Sequence, residues 1–301
     1  MLKRAIAAIA LGATAAGGGC AYLDLKQREL IYQPVREYSG TPADRGLAYQ
    51  DVWLSAKDAQ GDVGNRVHGW WLPAHDPDAP TLLYLHGTRW SLGRHVDRIA
   101  SWRAQGFSVL AIDYRGFGRS DGELPSETGI YADAQAAWEH LRLREPDVRR
   151  RFVYGHSLGG AVAIDIATRN ADVAGIIVES TFTSMSDMAA RSRYGYFPVD
   201  LVLTEHFDSL AKIGNVSAPV LFIHGTGDRY VPAAMSERLY QAAREPKRLL
   251  LVAGAGHRDA SMLALERDPA AVRDFIRLVR GTALGNTRTP VFTAHSPRSP
   301  R

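Results

Sequence analysis

An α/β architecture, a mostly parallel eight-stranded sheet flanked by helices, is what this 301-residue sequence predicts, and three observations predict it. From about Tyr49 onward, short β-branched or aromatic runs alternate with longer amphipathic stretches, the order expected of strands and helices in turn. The later runs are almost continuously apolar, as parallel strands covered on both faces must be. The first two are separated by the turn-rich residues from Asp58 to Asn65 and read instead as a hairpin.

Taken in order, a helical turn or two is expected over 23–32, followed by a linker-like approach to Gly46. Strands are expected over 50–55, 66–72, 81–86, 107–113, 151–154, 175–179, 219–224 and 248–252. Helices are expected between them, among them 131–144, 158–169, 233–244 and 270–280. The segment 184–217 interrupts the alternation: Met185, Met188, Tyr194, Tyr196, Phe197, Leu201, Leu203 and Phe207 recur with only loose helical spacing. It reads as a small lid between the sixth and seventh strands, with a plain helical excursion packed on the core as the alternative. From Gly281 onward, Gly, Thr, Pro, Ser and Arg dominate without apolar periodicity, the composition of a disordered tail.

Length and composition suit one globular domain with appendages: 46% of residues are apolar and 23% charged, enough of each for a buried core and a solvated surface. The expected division is 1–20 as an export signal, 21–48 as an N-terminal helix and linker, 49–280 as the catalytic domain and 281–301 as the tail. A net charge of +4 with scattered arginines leaves no basic stripe interleaved with aromatics, so nucleic acid is not an expected partner. The histidines show no metal-ligand spacing, and a single cysteine supports neither an internal disulfide nor a cysteine metal cage. No cofactor is expected.

That cysteine, Cys20, is informative by position. Lys3 and Arg4 precede a run of small and apolar residues that ends in Gly17-Gly18-Gly19-Cys20, a run too short to span a bilayer. This start resembles a bacterial lipoprotein signal, which implies export to the cell envelope, periplasmic or membrane-anchored, with Cys20 as the lipid attachment site. Gly17 departs from the Leu such signals usually carry three places before the cysteine. Ordinary signal cleavage and an uncleaved anchor are the alternatives.

The strongest chemical signal is Gly155-His156-Ser157-Leu158-Gly159-Gly160, directly after a strand and opening a helix. A serine on such a sharp turn projects its hydroxyl above the sheet, at a helix N-terminus that offers free N–H groups and a positive dipole end. Its hydroxyl needs a base, and the base an orienting acid; on this strand–turn–helix context they follow in the order Ser, acid, His. Asp228, in the turn after the seventh expected strand, and His257, after the eighth, fall in that order. Glu179 also ends a strand and is the rival acid; Asp259 lies too near His257 in sequence to reach around its ring. Asp113 reads as a structural anchor, and His86 and His156 as residues that shape the two turns. The backbone N–H groups of Thr88, after the third strand, and of Leu158 are the expected oxyanion-hole donors.

With those residues in hand, the chain resembles a known family. His86-Gly87, the run from Asp113 to Gly122 (DYRGFGRSDG), Pro125-Ser126-Glu127, Tyr131-Ala132-Asp133-Ala134, Glu179 to Ser184 (ESTFTS) and Leu30-Ile31-Tyr32-Gln33-Pro34 are similar to motifs of the short-lid α/β hydrolases of the bud-emergence type. That family includes membrane-attached protein depalmitoylases and bacterial carboxylesterase-like or serine aminopeptidase-like proteins. The resemblance implies the α/β-hydrolase fold and a serine hydrolase acting on a small-molecule acyl ester or thioester through Ser157, Asp228 and His257. It also leaves two alternatives: a peptidase with the same machinery, or a catalytically silent envelope protein that binds. Thr88-Arg89-Trp90-Ser91 departs from the family pattern, in which many relatives carry Asn and a smaller, less basic loop, so no substrate preference carries over.

Overall fold

The computed structural model describes residues 19–57, 63–191 and 202–282. The greater part of the expected export signal, the tip of the first hairpin, the middle of the expected lid and residues 283–301 lie outside the described residues.

Eight strands form one sheet in the order β1-β2-β4-β3-β5-β6-β7-β8. They are β1 (Gln50–Lys57), β2 (Val63–Leu72), β3 (Thr81–Leu85), β4 (Ser108–Ile112), β5 (Arg151–His156), β6 (Gly175–Glu179), β7 (Val220–Gly225) and β8 (Lys247–Val252). The first hairpin is antiparallel, β2 pairs antiparallel with β4, and every pairing from β4 through β8 is parallel. Every expected strand is present, and the α/β-hydrolase layout with it.

Alternation along the strands explains why their sequences are apolar throughout. Leu83 and Leu85 point into one core cluster with Leu110, Ile112, Val153 and Phe222, while Leu82 and Tyr84 point into the other with Val109, Phe152, Tyr154 and Ile223. The interiors of β3 to β7 are therefore buried on both faces and show no period-2 polarity, whereas β1 at the edge alternates exposed and buried residues.

Nine α-helices lie among the described residues. Helix α1 spans 19–32, starting earlier than the 23–32 expected and taking in Cys20, which is exposed. The others are α2 (Val96–Ala104), α3 (Glu127–Arg144), α4 (Leu158–Arg169), α5 (Met185–Ala190), α6 (Ser209–Ile213), α7 (Ala233–Ala242), α8 (Ala260–Arg267) and α9 (Pro269–Thr282). Helix α3 begins four residues before the expected start because Ser126 caps it, its hydroxyl accepting from the Gly129 N–H at 3.2 Å. Helix α7 ends at Ala242, ahead of Pro246, and Pro269 opens α9 from a position where its missing N–H costs nothing.

Of the expected lid, residues 184–191 and 202–217 are described. The chain leaving it is tied down: Glu127, at the start of α3, accepts from the N–H groups of His206 (2.6 Å) and Phe207 (3.0 Å), and the buried Glu205 accepts from the Glu127 N–H (2.6 Å) and from the Tyr32 hydroxyl. Burial raises the Glu205 carboxyl above its ordinary range despite those donors. Helix α6 then packs against α4 and α7, with Lys212 Nζ 2.8 Å from Asp165 on α4. Among the described residues no helix is long and apolar enough to cross a membrane.

Candidate active site

The carboxyl ends of β3, β5, β7 and β8 lie on one rim of the sheet, and the turns leaving them carry the residues of interest. At the end of β5 the chain turns so sharply that Ser157 takes φ 55°, ψ −118° before α4 starts at Leu158. A non-glycine residue held there stores strain, which persists only where the surroundings overdetermine it. The surroundings do so: Ser157 N–H donates to the Glu179 carbonyl (2.8 Å), and its own carbonyl accepts from Gly160 N–H (3.0 Å) and the Thr181 hydroxyl (2.9 Å). The two glycines of the turn permit the crossing. A Cβ on Gly155 would lie 1.9 Å from the Gly159 carbonyl oxygen, and one on Gly159 would lie 2.1 Å from that of Leu85.

Three side chains that are far apart in sequence meet above this turn. His257 Nε2 lies 3.1 Å from Ser157 Oγ, and His257 Nδ1 lies 2.7 Å from Asp228 Oδ2. The Asp228 carboxylate is buried, and its other oxygen accepts from the N–H groups of Tyr230 (2.8 Å) and Val231 (2.9 Å). His224 adds a contact from Nε2 to Oδ2 at 3.3 Å while donating to the Val231 carbonyl at 2.9 Å. Burial by itself would raise the Asp228 carboxyl; the hydrogen bonds from His224, His257 and the Val231 amide outweigh it and hold the group well below the usual carboxylate range. An ionised Asp228 fixes the proton of His257 on Nδ1, leaving Nε2 free to accept the Ser157 proton.

Glu179, the rival acid, is engaged elsewhere. Its carboxylate is fully buried, accepts from the Tyr154 hydroxyl and from Ser261 N–H (2.9 Å), and lies 3.5 Å from the guanidinium of the buried Arg98. Asp259 accepts from Gly256 N–H at 2.7 Å and so braces the loop carrying His257.

The turn after β3 faces the serine: a Cβ on Gly87 would lie 3.1 Å from that of Ser157. The His86 ring folds back so that Nδ1 lies 2.6 Å from the Gly87 carbonyl oxygen, which can only accept, so Nδ1 carries the proton. The Gly87–Thr88 peptide is trans, so holding its carbonyl toward His86 aims the Thr88 N–H the opposite way. Arg89 N–H, one residue on, is occupied by the Tyr32 carbonyl at 2.9 Å, and Arg89 sits at φ 83°. On the other side Leu158 N–H belongs to the first turn of α4, where amides have no partner within the helix. Beneath the turn, burial pushes the His86 ring down to about 4 and the Asp113 carboxyl up to about 7. Asp113 accepts from Leu92 N–H (2.8 Å) and the Tyr38 hydroxyl, and Tyr38 is joined to the buried His68 (2.9 Å) and through it to Asp51 (2.8 Å).

The sequence reading missed three contributors: Arg98, which faces Glu179; His224, which supports Asp228; and Tyr32, whose carbonyl reaches the Thr88 turn. His224 had a local signal, four residues before Asp228 at the end of an apolar strand, and Tyr32 lay within the Leu30–Pro34 motif, whereas Arg98 had none. Among the described residues no group of three His, Cys, Asp or Glu side chains is arranged to hold a metal ion.

Residues 76–199 match the family described as Serine aminopeptidase, S33. The alpha/beta hydrolase domain-containing protein WAV2 of Arabidopsis thaliana is 33% identical over 253 residues, a match covering 76% of this chain and 80% of that one. Protein bem46 of Schizosaccharomyces pombe is 33% identical over 245 residues, covering 77% of each. Among solved structures, the Pyrococcus furiosus esterase Pf2001 shares the fold with a TM-score of 0.66 at 22% identity, over 83% of this chain and 100% of that one. Sheet order, the strained serine turn and relatives matched over most of their length lead to one assignment: the chain belongs to the α/β-hydrolase superfamily, alongside bem46 and WAV2.

Proposed function

We propose that this protein is a serine hydrolase that cleaves a carboxylic ester or thioester through an acyl-enzyme on Ser157. The observation that carries the reading is the unbroken hydrogen-bonded series from Ser157 Oγ through His257 to Asp228. Ser157 Oγ attacks the acyl carbonyl while His257 Nε2 takes its proton; the C–O or C–S bond breaks and the same proton passes to the leaving group. Water then repeats the sequence, with His257 as its base, and releases the acid. The N–H groups of Leu158 and Thr88 hold the negative charge that develops on the carbonyl oxygen, each contributing on the order of 3 kcal/mol to the transition state.

A second reading, amide cleavage, is favoured by the match of residues 76–199 to a family described as an aminopeptidase. It uses the same groups, and a panel of esters, thioesters and aminoacyl amides separates the two by relative kcat/KM. A catalytically silent binding protein would have no use for a serine held at φ 55°. Labelling with a fluorophosphonate probe tests the whole reading: wild type should label, and Ser157→Ala should not. Wild-type protein that stays unlabelled, or an alanine variant that labels equally, defeats it.

Export to the cell envelope with lipidation of Cys20 is part of the same proposal and is supported by the sequence preceding it and by the exposure of its thiol. The mass of the mature N-terminal peptide tests this: a diacylglycerol-sized increment on Cys20 is expected, and an unmodified Ala or Gly start refutes it.

A further inference from the structure

His156 precedes Ser157 on β5 and is almost wholly buried, yet none of the chemical steps above uses it. Its Nε2 lies 2.8 Å from the backbone carbonyl oxygen of His257, a residue 101 positions away in the chain, and the two imidazole rings are 5.0 Å apart between centroids. A carbonyl oxygen only accepts, so Nε2 carries the proton and donates. The opposite edge of the ring faces the third turn of the site: a Cβ on Gly87 would lie 3.3 Å from His156 Nδ1. One side chain thus joins the serine turn covalently, the His257 loop by a hydrogen bond and the Thr88 turn by packing.

We propose that His156 is a positioning residue: its Nε2–H bond to the His257 carbonyl sets the height of the His257 ring over Ser157. This rests on the serine hydrolase reading. The loop from Gly254 to Asp259 is also held by the Thr226 hydroxyl on the Gly254 N–H, the Gly227 N–H on the Ala255 carbonyl, Asp259 on the Gly256 N–H and the Arg98 guanidinium on the Arg258 carbonyl, but the His257 carbonyl itself is held by His156. Removing that bond lets the His257 loop shift while Asp228 stays pinned by the Tyr230 and Val231 N–H groups, so both the 3.1 Å separation of Nε2 from Ser157 Oγ and the 2.7 Å separation of Nδ1 from Asp228 Oδ2 change. Burial first, then the neighbouring Arg98 and His257, keep His156 neutral, so the brace adds no positive charge beside His257 when that ring becomes an imidazolium. His156 Nδ1 is buried without a hydrogen-bond partner among the described residues, a cost accepted for a ring that fills this junction.

Two variants separate the hydrogen bond from the ring. His156→Phe keeps a planar ring and loses the donor; His156→Gln keeps an N–H donor and loses the ring. On p-nitrophenyl acetate, Phe should lower kcat by between about ten- and a hundredfold with KM changed less than about threefold, as expected for a misplaced base. Gln should recover kcat to within about threefold of wild type. The downfield proton resonance of the His257 Nδ1–H, read on the same samples without substrate, should be preserved in wild type and Gln and displaced or broadened in Phe. Phe at the wild-type kcat, or Gln falling as far as Phe, overturns the proposal. A His156→Phe protein that does not fold leaves His156→Gln to decide: loss of kcat and of the resonance in a folded Gln variant overturns it, and retention of both supports it. Wild type that fails to label with fluorophosphonate removes the hydrolase reading, whereas the proton resonance still tests the brace.

Discussion

Replacing Asp228 by Asn changes one atom and should nearly silence the enzyme, because the structure dictates which way the amide must face. Asp228 Oδ1 accepts from two backbone N–H groups, at 2.8 and 2.9 Å, so in Asn the carbonyl oxygen takes that place. The amide nitrogen then stands where Oδ2 was, 2.7 Å from His257 Nδ1, and donates to it. His257 is forced to carry its own proton on Nε2, where it donates to Ser157 Oγ and cannot accept from it. Turning the amide over restores the productive tautomer but sets an NH2 group against two N–H groups. The first orientation gives up only the longer His224 contact, at 3.3 Å, so the net loss is one to two hydrogen bonds; at about 1–3 kcal/mol each that is about 1–6 kcal/mol and leaves roughly one molecule in 5 to one in 20,000 productive. The corresponding change in serine proteases lowers kcat by about 10⁴, the upper part of that range. Steady-state hydrolysis of p-nitrophenyl acetate by Asp228→Asn should therefore show a kcat loss of about 10³–10⁴, a KM close to wild type and a matching slowing of fluorophosphonate labelling. A folded variant with kcat within tenfold of wild type would refute the tautomer argument.

Glu179→Gln tests the rival acid. It leaves the buried Arg98 guanidinium without its carboxylate, which should lower unfolding stability by about 3–5 kcal/mol while kcat of the folded protein stays within about tenfold; normal melting with a thousandfold loss of kcat would make Glu179 the acid instead. Asp113→Asn tests the burial beneath the Thr88 turn. With its folded carboxyl near 7, wild type holds a proton there that the unfolded chain releases above about pH 4, so this group makes stability fall as pH rises from about 4 to 7. The Asn variant lacks that slope, and its unfolding free energy relative to wild type should rise by on the order of 3 kcal/mol across the window in denaturant titrations; a constant difference would show that Asp113 is ionised throughout.

Much of the fold was legible because its signals are local. The later strands are marked by nearly continuous apolar runs bounded by turn residues, since a parallel strand buried on both faces needs an apolar side chain at nearly every position, and the first two by the turn-rich residues between them. The elbow was legible because its signal is local: Gly155 and Gly159 are demanded by atoms of adjacent turns, and the pattern sits in six consecutive residues, Gly155 to Gly160. Helix ends were less legible. Ser126 starts α3 four residues before the apolar periodicity does, because capping draws on one side-chain oxygen and not on a face.

Sequence order by itself determined the class of fold and the trio Ser157, Asp228 and His257 as candidates, since strand ends must carry the site and each residue follows its own strand. Only the tertiary structure decided that Asp228 and not Glu179 faces His257, that Arg98 occupies Glu179, that Tyr32 reaches the Thr88 turn and that His156 holds the His257 carbonyl. The reason is physical: a hydrogen bond is made or lost over a few tenths of an ångström, and the distance between two strand ends is set by the twist and packing of the whole sheet, which no local pattern of residues records.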